Sequence, residues 1–241
     1  MNFKDYLLSK ISPNLRFRFV NLKNQFYGGY KNFYYSQNGE DVVVSSLFED
    51  LKIKTGFYVD VGAHHPQRYS NTNLLFLKGW SGINIDPNPE TITLFNSARK
   101  NDINLNVGVA ANASKLVYYN FSDPAVNTFS ADAAKKYEGK KWISLVSKTE
   151  VSVVPLRDLL VTHVPKNRSV DLLNVDAEGF DMEVLKSNDW EKFQPVVVII
   201  EDHTFNINKA EESEIYSFLR QRKYRLHVYL GFTLIFVREN I

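Results

Sequence analysis

The sequence predicts an α/β fold built on a mostly parallel, seven-stranded sheet with helices on both faces. Three observations carry this. From Gly56 onward, short apolar runs alternate with segments of helical spacing, the rhythm of parallel strands joined by crossover helices. Several runs are continuously apolar rather than alternating, as strands covered on both faces require. The chain then ends in YRLHVYL and FTLIFVR, joined around Gly231, which predict a closing antiparallel hairpin.

In chain order, GFYVDVG is the first strand, and Asn71 to Lys78 reads as a helix with Ser70 as its N-cap. GINID is the second strand. Pro87 and Pro89 flank the turn into a helix running to about Arg99, since proline is tolerated in a first turn where its missing N–H is not needed. INLNVGVA is the third strand. SKLVYYNF, the turn-rich SDPAVNTFS, a polar stretch through Lys141 and the strand KTEVSVVPL together read as an insertion or hairpin-bearing flap over about 114–150. SVDLLNVDAEG resumes the core as the fourth strand and leads into a helix from about Asp181 to Lys186. PVVVIIEDH is the fifth strand, and Ala210 to Arg222 has helical spacing.

The 241 residues, 44% hydrophobic and 23% charged, suit one large domain over 36–241 preceded by an arm over 1–35. A formal net charge of +2 without a long basic run argues against nucleic acid. The absence of cysteine removes disulfides, thiolate metal sites and a cysteine nucleophile. No segment has the continuous apolar length of a membrane span and the start lacks a leader's apolar core, so a cytoplasmic protein is expected. The arm mixes Lys4, Lys10, Arg16, Arg18, Lys23 and Lys31 with Phe17, Phe19, Phe26, Tyr27, Tyr30 and Phe33. Two readings stand for it: an amphipathic helix on the domain's own flank, or a peripheral contact with a membrane or other anionic surface. Its aromatics would also suit a homodimer contact.

In open α/β sheets ligands lie beyond the carboxyl ends of the strands, so polar residues that end apolar strands are the first suspects. These are Asp60 and Gly62, Asp86 with Pro87, Asp176 with Glu178, and Glu201, Asp202 and His203. Asp86 follows the first acidic strand end by the offset at which Rossmann units place a ribose-binding carboxylate; the alternative is an Asx turn before Pro87. The first turn has a single Gly62 in place of G-x-G-x-x-G, which disfavours a dinucleotide. S-adenosyl-L-methionine, which carries no phosphate, fits one close-approach glycine beside Asp60.

The ordered set SQNGEDVVV, YVDVGAHHP, SNT, GWSGINIDPNP, VPLRDLL and LLNVDAEGFDMEVLK, spread from Ser36 toward His203, resembles the motifs of FkbM-type methyltransferases. The resemblance implies a Rossmann-like class I methyltransferase fold and an enzyme that methylates hydroxyls of natural products or saccharides. By position it implies that Asp60, Gly62 and Ala63 contact the methionine half of the cofactor. Asp86 would meet the ribose, and Val107 with Gly108 the neighbourhood of adenine. Glu40 and Asn71 add polar contacts, and Asp176 faces the methionine half or the reaction centre. Two positions depart from many relatives: His64 where they have Asn, and Asn174 where they have Lys.

An alcohol acceptor must lose a proton, and His203 is the candidate general base, with Asp176 and Glu201 beside it. Asp176, Glu201 and Asp202 form a candidate oxygen site for Mg2+; the alternative is that Glu201 and Asp202 only hydrogen-bond ligand or backbone. The expected acceptor is a saccharide or glycoconjugate hydroxyl, set against a small-molecule natural product and against a cofactor-binding module without catalysis.

Overall fold

Phe57, Tyr58, Val59 and Val61 send apolar side chains to the two faces of a strand that is buried along its whole length, and the fold grows outward from it. The structure, a computed structural model, describes residues 12–27 and 33–240. It divides at Tyr34 into two units. The first contains helix α1 (Pro13–Tyr27), on which Leu15, Phe17, Phe19 and Leu22 are exposed. Lys4, Lys10, Tyr30 and Lys31 of the basic, aromatic arm lie outside the described residues.

The second unit holds α2 (Glu40–Asp50), β1 (Phe57–Val61), α3 (Asn73–Leu77), β2 (Ser81–Ile85), α4 (Pro89–Ala98) and β3 (Ile103–Leu105). There follow β4 (Gly108–Val109), β5 (Ser114–Phe121), α5 (Ala131–Tyr137), β6 (Leu145–Val154), α6 (Leu156–His163) and β7 (Leu172–Val175). The chain closes with α7 (Asp181–Ser187), β8 (Val197–Glu201), α8 (Glu214–Gln221), β9 (Tyr224–Leu230) and β10 (Thr233–Arg238). The main sheet runs β3-β2-β1-β7-β8-β10-β9. Its first five strands pair in parallel, and β10 is antiparallel to both β8 and β9. This is the α/β sheet with a C-terminal antiparallel hairpin that the sequence predicts.

Two apolar clusters cover the faces. Val59, Val61, Leu173 and Ile200 pack with Leu156 and Leu160 of α6, Val184 of α7 and Leu219 of α8. Tyr58, Leu172 and Ile199, one residue out of phase, pack with Val44 and Phe48 of α2 and Leu75 of α3. Burial of these side chains is worth roughly 1.5–3 kcal/mol each, which fixes the register of every parallel strand and so the positions of their tips.

Several elements differ from expectation. INLNVGVA is two strands: β3 stays in the main sheet, while β4 leaves it to pair with β6 in a second sheet of order β4-β6-β5. The polar stretch before Lys141 contains α5, capped by Ser130 accepting from Ala133 N at 3.2 Å. α3 begins at Asn73 after Thr72; Ser70 serves it from one turn earlier, its Oγ accepting from Asn73 N at 3.1 Å. Ala210 to Arg222 is a 3-10 turn over Ile207–Glu212 followed by α8, broken at Ser213, whose hydroxyl caps the helix at Tyr216 N.

Candidate active site

The sheet reverses its strand order at β1, which has β2 on one side and β7 on the other. A crevice forms beyond the carboxyl ends at such a point. A cavity of about 370 Å³ lies there, lined by Asp60 and Gly62 of the β1 tip, Asp86 of the β2 tip, Asp176 of the β7 tip, and Glu201 with His203 of the β8 tip. Ala63, Asn71, Pro87, Val107 and Glu40 also line it, so most residues predicted from the strand endings come together. Two do not. Gly108 packs beneath Phe129 and Val153, and Val109 joins Val107 at the wall instead.

Asp202 is the other. Its Oδ1 accepts from Thr204 N at 2.9 Å and Thr204 Oγ1 at 2.7 Å, and its Oδ2 accepts from Ser213 Oγ at 2.6 Å. It therefore organises the turn after β8, and the expected three-carboxylate Mg2+ site does not assemble. Among the described residues no group of three histidine or acidic side chains is arranged to hold a metal ion.

Asp60, one residue before the end of β1, has both oxygens engaged: Thr72 Oγ1 donates to Oδ2 at 2.6 Å and Asn174 Nδ2 donates to Oδ1 at 2.8 Å. Burial raises its pKa, opposed by Thr72, Arg99 and Asn174. Gly62 follows in the left-handed region (φ 76°), and an added Cβ would stand 1.7 Å from the Asp176 carbonyl oxygen, so only glycine lets the β1 and β7 tips approach this closely. Asp86 Oδ2 accepts from His64 N at 2.9 Å and Oδ1 from Asn88 N at 2.8 Å; burial pushes its pKa up to about 6. The Asx turn and the cavity-facing position thus coexist in one residue.

Glu40, at the start of α2, accepts from Asn38 N at 2.8 Å and from Thr233 Oγ1 at 3.2 Å. Asp176 Oδ1 is buried and has no hydrogen-bond partner. Burial first, then the charge of Glu201, raises the Asp176 pKa well above the ordinary aspartate value. Glu178 sits at φ 51° in the turn after β7, accepts from Tyr137 Oη at 3.3 Å, and is raised to about 7 by burial and then by Glu201. Asp181 braces that turn, accepting from Ala177 N and Gly179 N. His203 Nε2 lies 3.3 Å from Glu201 Oε2, and this hydrogen bond is the main reason its pKa is raised.

The cavity is also lined by residues that strand endings do not reveal. Tyr69, Tyr137, Trp142 and Phe232 line the cavity with aromatic surface, and Trp142 is 63% exposed there. Their signal in the sequence is weak, because each lies in a loop or in the insertion and none closes an apolar strand.

The unpartnered, buried oxygen of Asp176, beside a glycine-only turn, leaves an acceptor at the cavity that a ligand donor can engage. Carboxylates from neighbouring strand tips thus meet at one cavity, beside a turn that lacks the glycines used to cradle a pyrophosphate.

The methyltransferase FkbM domain matches residues 60–226, most of the chain, and the protein belongs to this family. Among solved structures the chain is similar to the methyltransferase FkbM from Methylobacillus flagellatus KT (12% identity, TM-score 0.42), covering 87% of this chain and 45% of that one. It thus spans less than half the length of that relative. It is also similar to a TehB-like SAM-dependent methyltransferase from Corynebacterium glutamicum ATCC 13032 Kitasato (9% identity, TM-score 0.40, 95% of this chain and 100% of that one). A third is precorrin-6y C5,15-methyltransferase from Geobacter metallireducens GS-15 (11% identity, TM-score 0.41, 82% of this chain and 88% of that one). No curated protein sequence matches the chain.

Proposed function

We propose that the protein is an S-adenosyl-L-methionine-dependent O-methyltransferase whose acceptor is a hydroxyl of a saccharide or glycoconjugate. The observation that carries the reading is the convergence of Asp60, Asp86 and Asp176, from three neighbouring strand tips, on one cavity in a chain of the FkbM family. The residues fit the cofactor: Asp60, Gly62, Ala63 and Asn71 would hold its methionine half, Asp86 its ribose hydroxyls, and Pro87, Val107 and Val109 its base. When bound, the cofactor supplies a methyl group already activated on a sulfonium.

The chain's own part is alignment and proton removal. With Nε2–H of His203 donating to Glu201, Nδ1 is the nitrogen left to take the acceptor's proton. Glu201 stabilises the imidazolium so formed, and Asp176, which lines the same cavity with an unpartnered oxygen, is left to engage the ligand. Tyr137, Trp142 and Phe232 offer flat apolar surfaces on which a sugar ring can stack, which favours a saccharide. The methyltransferase domain is read as 36–241, with the insertion over 114–150 supplying Tyr137 and Trp142.

Thermal-shift titration with S-adenosylmethionine, S-adenosylhomocysteine and NAD tests the reading. Stabilisation by the first two is expected; stabilisation by NAD alone overturns it.

A further inference from the structure

Arg99 is among the largest fully buried side chains of the protein, 1% exposed, and lies behind the site, where the chemistry above does not use it. It follows α4, a position at which a solvated cation is the ordinary expectation. Its guanidinium instead reaches into the β1–α3 loop. One terminal nitrogen donates to Pro66 O at 2.5 Å and to Ser70 Oγ at 2.9 Å; the other donates to Thr72 Oγ1 at 2.8 Å.

A guanidinium can only donate. Thr72 Oγ1, accepting from Arg99, directs its single proton to Asp60 Oδ2 at 2.6 Å. As a carboxylate Asp60 accepts on both oxygens, so the group that donates to Oδ1 is the Asn174 amide nitrogen, at 2.8 Å. That choice turns Asn174 Oδ1 toward Asn71, whose Nδ2 donates to it at 2.9 Å. Among the described residues no protein donor engages Asn71 Oδ1, and Asn71 lines the cavity.

We propose that Arg99 is a positioning residue for cofactor binding: through Thr72, Asp60 and Asn174 it sets the direction of every hydrogen bond in the chain, so that Asn71 meets the cavity with its carbonyl oxygen. The ligand group this wall selects is a donor of positive charge, the α-ammonium of the methionine half. The inference rests on the cofactor reading above. The same loop clamp fixes Ser70 and Tyr69, which share that wall.

The charged and titratable groups around Asp60 are Arg99 and Asp102 behind the sheet, Tyr58 on its own strand, Asp86 at the β2 tip and Asp176 at the β7 tip. Arg99 is the cation among them. Without the Thr72 relay Asp60 protonates more readily, so binding that needs its carboxylate is lost at a higher pH as the pH falls.

Calorimetric titration of S-adenosylhomocysteine into wild type, Thr72→Val, Thr72→Ser and Asn71→Ala, from about pH 5 to about pH 8, tests this. Thr72→Val is expected to weaken binding about tenfold at neutral pH, the scale of one charge-assisted hydrogen bond, and to move the acid loss of binding to higher pH. Thr72→Ser keeps the hydroxyl and restores both. Asn71→Ala is expected to weaken binding without moving the acid limb.

A wild-type protein that binds no S-adenosylhomocysteine overturns the cofactor reading and this inference with it. A wild type that binds, with a folded Thr72→Val of unchanged affinity and pH profile, overturns this inference alone. If Thr72→Val does not fold, Asn71→Ala decides: wild-type affinity there also overturns it.

Discussion

His203 Nε2 stands 3.3 Å from Glu201 Oε2 at the tip of β8, a half-exposed imidazole leaning on a carboxylate whose side chain is only 17% exposed. The pairing raises the His203 pKa above that of a free imidazole, about 6.5. If His203 is the base, as proposed, it must be unprotonated to act, so turnover should rise with pH through a midpoint above that value. Glu201→Gln removes the negative partner and should shift the midpoint of the kcat profile downward. His203→Ala should lower kcat by roughly 10²–10⁴ while S-adenosylhomocysteine affinity stays unchanged. A fully active His203→Ala protein would eliminate it as the base.

Asp86 and His64 give a second prediction. Asp86 is buried and accepts from His64 N and Asn88 N, yet its pKa is pushed up to about 6, above the ordinary aspartate value of about 3.9. Its sign follows from linkage: the proton it holds favours the folded state below about pH 4, and this contribution is lost as the pH rises through about 6. In the proposed role, ribose hydroxyls donating to Asp86 would favour its charged form, so cofactor binding near pH 6 should release protons. Calorimetry in buffers of different ionisation heat measures the release. Asp86→Asn should abolish it and weaken binding, and undiminished release would remove the ribose role.

Strand endings were legible because a carboxylate closing an apolar run, as in YVDVG and LLNVDAEG, is conspicuous and strand tips share one edge of a parallel sheet. The pairing of Glu201 with Asp202 as joint ligands fails for a reason the sequence contains: adjacent residues leaving a strand point to opposite sides, so one faces the cavity and the other the loop. Helix α2 is hidden by its β-branched Val42 to Val44, and α6 by a short VPLRDLL that follows directly on a strand. The split of β3 from β4 depends on β6, more than forty residues further on. Arg99 carries no local signal at all, since its partners Pro66 and Ser70 lie 33 and 29 residues away and only the folded loop brings them to it.

Gly62 and Gly139 share a positive φ, 76° and 80°, but differ in surroundings. A Cβ at Gly62 meets backbone at 1.7 Å, whereas at Gly139 nothing lies within 4 Å. Gly139→Ala should therefore cost only the left-handed backbone penalty, about 1–2 kcal/mol. Gly62→Ala adds a clash that neither strand tip can relieve without moving Asp176, and should destabilise by upward of ~3 kcal/mol and abolish cofactor binding. Denaturant unfolding of the two variants compares them directly; equal losses would mean that the β1 and β7 tips are not held in close approach.

Trp142 is an exposed indole on the cavity wall, with the Tyr137 ring edge-on at 6.2 Å. An aromatic side chain left 63% exposed contributes little to folding, so its truncation should barely change stability. If it is part of the acceptor's stacking surface, Trp142→Ala removes about 1 kcal/mol of binding, raising the acceptor KM several-fold. S-adenosylhomocysteine affinity should not change, because the strand-tip carboxylates proposed to hold the cofactor are untouched. Phe232→Ala, across the cavity beside His203, should act the same way on KM and in addition lower kcat, since its ring lies 4.5 Å from the imidazole and helps fix its orientation. Steady-state kinetics with a saccharide acceptor separates the two effects, and a KM unmoved by either variant would place the acceptor elsewhere.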